Sequence, residues 1–291
     1  MTPYPVAALL FNALVWGVSW WPFRQMHALG LHPLWATAMV YGVSSACLVA
    51  WRPGAWRGLM THPGLWALML ASGLTNVGFN WAVTVGDVVR VVLLFYLMPV
   101  WSIALAWWLL GERPTSGVLL RLVLALLGVS LVLRTPGSPW PVPSTLADGL
   151  ALGGGFCFAL TNVLLRRLRD APDASRAVAM FAGGAIMAAG MAVATQGMEG
   201  VAALAAAPMA WLPLASGLSL AFLVGNLALQ YGAARLAAHV TALVMLSEVV
   251  FASVSSVLAG AASPTGQTLA GGALVMAAAL LAAWPSSRST R

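Results

Sequence analysis

Lysine is absent from this 291-residue chain, and acids are scarce: seven Asp and Glu stand against 14 arginines. Charged residues make up 7% of the sequence, where soluble domains carry about a quarter. No stretch is long and polar enough to fold as a domain in water. Nucleic acid is not an expected partner either. The arginines sit in short breaks between apolar runs, so the sequence pI of 10.7 reflects membrane topology. The only two cysteines, Cys47 and Cys157, fall inside apolar runs, which argues against a disulfide or a metal site. There is no phosphate-binding glycine loop, zinc signature or carboxylate cluster. No cofactor is expected, and any ATPase would have to be a separate partner. The first apolar run lacks a basic leader and a small-residue cleavage site, so it is expected to stay as a helix.

What fills the chain is hydrocarbon. Hydrophobic residues make up 61% and the mean hydropathy is +0.90. Ten apolar runs can be marked, at about 4–26, 33–51, 64–86, 89–111, 116–134, 148–167, 176–197, 209–232, 236–260 and 267–285. Each is expected to be a helix, since a helix satisfies its own backbone in lipid. The breaks carry turn chemistry, as in Arg52-Pro53-Gly54 and His62-Pro63-Gly64. The longest polar break, TPGSPWPVPST at 135–145, divides the chain nearly in half. Arginines cluster in alternate breaks: Arg52, Arg57, Arg113, Arg166, Arg167, Arg169, Arg176 and Arg235 on one side, with Arg90 and Arg134 on the other. By the positive-inside bias both termini are expected in the cytoplasm.

The two halves repeat. Ala-Ser-Gly-Leu at 71–74 recurs at 215–218, and each copy is followed by Asn-x-Ala-x-x-x-Gly, from Asn80 and from Asn226. Residues 99–117 then lie over 248–266, which pairs Pro99 with Glu248. Five helices per half is an odd number, so the second half must enter the membrane upside down. The arginines reverse accordingly: the breaks after runs 2 and 4 carry them, and those after runs 7 and 9 carry none. The expected organisation is a first five-helix repeat over 1–134, a linker over 135–147 and an inverted five-helix repeat over 148–291.

The fourth run anchors this reading. From Val91 to Gly111 it holds no charge, and Pro99 near its middle is expected to kink it. Its pattern, LLFYLMPVW followed by Leu110-Gly111-Glu112-Arg113-Pro114, together with ten helices and a five-plus-five repeat, resembles the EamA-like (ten-helix) branch of the drug/metabolite transporter superfamily. The second copy departs from the family pattern, with Gly260-Ala261-Ala262 in place of Gly-Glu and Ser247-Glu248 where proline is common. The resemblance implies an all-α integral membrane protein with a central cavity. It also implies a secondary transporter, often an exporter, of amino acids or other small metabolites.

Glu248 is the sharpest candidate residue, being an acid well inside a run. A charge there costs about 3 kcal/mol on insertion scales. Thr241, Glu248 and Ser255 fall on one helical stripe. Glu248 is read either as a protonatable coupling site or as a neutral carboxyl bonding two helices. Asn76 and Asn80 share a face of the third run, and Asn226 and Gln230 form the matching pair in the eighth. They either line a shared cavity or hydrogen-bond neighbouring helices. Trp16 and Trp20 in the first run, and Tyr96 beside Pro99, could stack on a planar or cationic substrate, or supply packing bulk. Arg24 is read either as snorkelling or as meeting an anionic group. The expected function is alternating-access transport of small metabolites in a bacterial inner membrane. Its partners would be the substrate, the bilayer and, where transport is proton-coupled, protons. A passive channel, a lipid scramblase and an intramembrane enzyme remain the alternatives.

Overall fold

The structure, a computed structural model, describes residues 4–110, 116–134, 142–168, 170–206, 208–233, 235, 244–245 and 247–283. Among these the chain is all helix and turn, with no strand. The helices are α1 (Tyr4–Val18), α2 (Trp20–Ala28), α3 (Pro33–Trp51), α4 (Gly58–Thr61), α5 (Gly64–Val85), α6 (Val88–Phe95), α7 (Met98–Leu110), α8 (Ser116–Leu133), α9 (Leu146–Arg167), α10 (Asp173–Ala206), α11 (Pro208–Ala233), α12 (Ser247–Leu258) and α13 (Gly266–Ala283). Among the described residues six segments are long and apolar enough to cross a bilayer: Tyr4–Ala28, Pro33–Trp51, Val88–Leu109, Leu146–Leu165, Asp173–Gly197 and Ala210–Leu229.

Two of those segments are broken, and proline places both breaks. A proline lacks an N–H, and its ring crowds the carbonyl four residues earlier. Pro99 stands four residues after Phe95, where α6 ends. Pro22 stands four residues after Val18, where α1 ends. The kink expected at Pro99 is therefore a full interruption, with Tyr96 and Leu97 in a turn between α6 and α7. The interruption in the first run was not anticipated from sequence. Long α10 bends at Gly197, whose φ of 60° a side-chain-bearing residue rarely adopts.

The remaining ends are capped by local chemistry. Asp87 opens α6 by accepting the Arg90 N–H at 2.8 Å. Thr145 and Asp148 form a reciprocal capping box on α9. The Asp148 carboxylate, 1% exposed, also holds the Arg90 guanidinium in two hydrogen bonds of 2.7 and 3.0 Å. Arg90 reaches on to the Val132 carbonyl at the end of α8, so one arginine ties three helix ends together. Arg24 acts similarly at the end of α5. It donates to the carbonyls of Val83 (3.0 Å) and Gly86, and to Ala261 at 3.3 Å. Satisfying orphan carbonyls is the role the structure gives Arg24.

The packing interleaves the two halves of the chain. Helix α5 lies between α9 and α10, α3 lies along α10, α8 along α13, and α1 against both α11 and α12. Glycines make the closest approaches possible. A Cβ on Gly183 would strike the Met69 backbone carbonyl, and one on Gly73 would strike Gly183. Helix α5 is buried along most of its length by protein. It can therefore carry Ser72, Thr75, Asn76, Asn80 and Thr84 without presenting them to lipid.

Candidate functional site

The interruption in front of Pro99 leaves Tyr96 at the C-terminal end of α6, facing the start of α12. There its hydroxyl donates to Glu248 Oε2 at 3.2 Å. Tyr96 is 4% exposed. Glu248 is half-buried. Helix α1 forms a wall of this site by close contact. A Cβ on Gly17 would lie 2.8 Å from the Glu248 carbonyl and 2.7 Å from Phe251 Cβ. One turn further along, the Trp20 indole N–H donates to Ser255 Oγ at 3.0 Å. One turn earlier, the buried Asn12 amide points its nitrogen at Met245 Sδ, 3.6 Å away, while its oxygen has no hydrogen-bond partner. Glu248 and Ser255 thus both point into the protein, as the stripe on their helix requires. Thr241, the third member of that stripe, lies outside the described residues.

The other candidates are placed as follows. Trp16 stacks on Phe222 with ring centroids 4.5 Å apart and an interplanar angle of 20°. It lies on the Phe222 side, in an aromatic cluster that also contains Tyr41 and Phe23. Asn76 accepts the Tyr41 hydroxyl at 2.8 Å. Asn80 is fully buried beside the same tyrosine, and neither of its amide atoms reaches hydrogen-bond geometry. A buried amide without a partner costs about 1–3 kcal/mol. Asn226 instead borders a separate cleft between α3, α10 and α11. Asn80 does not line that cleft. The Gln230 side chain lies outside what is described. Pro99 contributes through the backbone break.

Sequence reasoning missed Tyr41 and Gly17. Tyr41 could have been flagged because it sits deep in an apolar run, away from the interfacial belt where a tyrosine is expected. Nothing in the sequence pairs it with Asn76. Among the described residues no cluster of His, Cys, Asp and Glu could hold a metal ion.

Apolar helices of membrane-spanning length, packed around a buried polar core, define a multi-pass α-helical membrane protein. Residues 4–134 match the model of the EamA-like transporter family, within the drug/metabolite transporter superfamily. A solved crystal structure, described only as that of a protein, superposes with a TM-score of 0.56 at 20% identity, covering 96% of this chain and 95% of that one. At that identity the likeness concerns the fold alone. No curated protein matches the sequence.

Proposed function

We propose that the chain is a secondary transporter of small metabolites, such as amino acids or related amphipathic compounds. It works by alternating access between two inverted five-helix repeats, residues 1–134 and 148–291 joined by 135–147. The packing supports the repeats. Exchanging each span of the first half with its equivalent in the second maps the principal contacts between the halves onto one another, although the contacts of α5 with α2, α3 and α6 have no counterpart among the described residues. The contact of α5 with α9 becomes that of α11 with α1 and α2. That of α5 with α10 becomes that of α11 with α3, and that of α1 with α12 becomes that of α9 with α6 and α7. The pairs α3–α10, α8–α13 and α6–α12 map onto themselves. One packing device also recurs. Gly17 lies against the Glu248 carbonyl, and Gly155 lies against the Phe95 carbonyl that Pro99 leaves without its helical donor.

The observation that carries the reading is the hydrogen bond from Tyr96 to Glu248. It joins the two repeats at a backbone interruption. A carboxylate accepts from Tyr96, whereas a protonated carboxyl can donate elsewhere. Proton arrival can therefore loosen the contact between the repeats. This makes Glu248 the coupling candidate, with Tyr96 and Trp20, which bond to the same face of α12, and Asn80 as candidates for substrate contact. Trp16, Asn76, Pro99, Asn226 and Gln230 stay in the proposed site as supporting positions. We place both termini in the cytoplasm of a bacterial inner membrane, with export as the net direction.

The test is flux in proteoliposomes under an imposed pH gradient. Saturable counterflow that follows the gradient is expected. Glu248→Gln should uncouple flux from the gradient while leaving the melting temperature in detergent close to that of the parent. Unsaturable flux would point to a channel or scramblase and sink the proposal.

A further inference from the structure

We propose that the cleft between α3, α10 and α11 is a binding site for a membrane phospholipid whose headgroup carries both a phosphodiester and a primary ammonium. The cleft has a volume of about 510 Å³. Its upper limit is a serine clasp: Ser44 Oγ donates to the Ser219 carbonyl at 3.3 Å, and Ser219 Oγ donates to the Val40 carbonyl at 3.0 Å. Beyond the clasp α3 and α11 leave a gap. Leu48, Phe181, Leu223 and Leu227 form its walls, with Leu220 and Val224 exposed along its outer flank. In a spanning segment that flank faces lipid, so an acyl chain enters sideways without desolvating a polar group.

The polar groups collect at one end. Arg52 follows the last turn of α3, with its guanidinium 5.0 Å from the centre of the exposed Trp51 ring. Tryptophan and arginine together mark the headgroup level of a bilayer. Among the described residues no carboxylate lies within ion-pair distance of Arg52. Across the mouth stands Asp173, in the first turn of α10. It pairs with Arg176, yet its side chain is 78% exposed. A carboxylate has oxygen lone pairs enough for a second donor. The mouth thus offers a guanidinium shaped for a phosphate and a carboxylate able to take an ammonium. The combination favours an aminophospholipid over one with a neutral glycerol headgroup. This site does not include Tyr96 or Glu248; of the proposed transport positions only Asn226 borders it, and neither charge at its mouth belongs to them.

The experiment is native mass spectrometry of the full chain from mixed micelles holding equal phosphatidylethanolamine, phosphatidylglycerol and diacylglycerol. Phosphatidylethanolamine is expected to be retained preferentially. Arg52→Gln should lower that retention at least about tenfold, the loss of one charge-assisted contact, and Arg52→Lys should restore most of it. Asp173→Asn should equalise the two phospholipids. Leu223→Trp, which fills the cleft without touching the charges, should abolish retention while circular dichroism stays helical. Equal retention of all three lipids by the parent, or unchanged retention in both Arg52→Gln and Leu223→Trp, would overturn the assignment.

Discussion

At the level of single residues, the charges of this chain divide by what they touch. Asp148 and Arg90 are structural. Their bidentate contact sits over a capping box and a helix C-terminus, so removing one partner leaves the other unpaired. Breaking such a pair costs about 3 kcal/mol, and Asp148→Ala should lower the melting temperature clearly, measured by fluorescence in detergent. His32 makes a subtler prediction. Its Nδ1 accepts the Leu34 N–H at 3.3 Å as the cap of α3. Burial, and secondarily the neighbouring His27, push its pKa below the ordinary 6.5. The fold therefore favours the neutral ring. That contribution is complete above pH 6.5 and is lost as the pH falls further, because a protonated Nδ1 no longer accepts. A melting curve taken from neutral to mildly acid pH should show the decline. In His32→Asn, which caps without titrating, the decline should be flatter.

At the level of elements, proline decides where helices stop. Both interruptions fall four residues before a proline, and the one at Pro99 delivers Tyr96 to Glu248. Pro99→Ala restores the missing backbone donor and should let α6 and α7 join. Proline in a helix interior is worth about 3 kcal/mol against helix, so thermal stability should hold or rise. Transport should fall at least tenfold in proteoliposomes, because Tyr96 rotates away with its helix. A simultaneous loss of stability and flux would show instead that the break supports folding only. The break was half legible: Pro99 announced a distortion, but a kink and a full turn read alike in sequence. Pro22 carried the same information in the first run, where its place near the end of the run hid it.

At the level of the whole molecule, stability rests on the two halves touching through glycine. Gly73 and Gly183 hold α5 against α10 with backbone on backbone. Gly183→Val must push the helices apart, at a cost of about 1–3 kcal/mol from overpacking. Gly190 lies on the same helix with nothing within 4 Å of a Cβ, so Gly190→Val should be neutral. Purification yield and melting temperature of the two variants separate contact from propensity. The paired glycines at 183–184 and those at 154–155 were readable as packing signals. Their partners, Met69, Tyr41 and Phe95, were not, because small residues advertise closeness without naming what comes close.

The sequence by itself determined that this chain lives in a membrane, that it is helical, and where its apolar runs lie, since hydropathy and loop chemistry are properties of contiguous residues. It also singled out Glu248, because an acid in a run of hydrocarbon is conspicuous whatever surrounds it. Only the tertiary structure decided that Tyr96 is the group facing Glu248, that Arg24 and Arg90 close helix ends, and that Asn80 and Asn226 have different surroundings. Those outcomes depend on which helix faces lie together across the two halves of the chain. Helical periodicity gives a residue its face but not the neighbour that the face will meet.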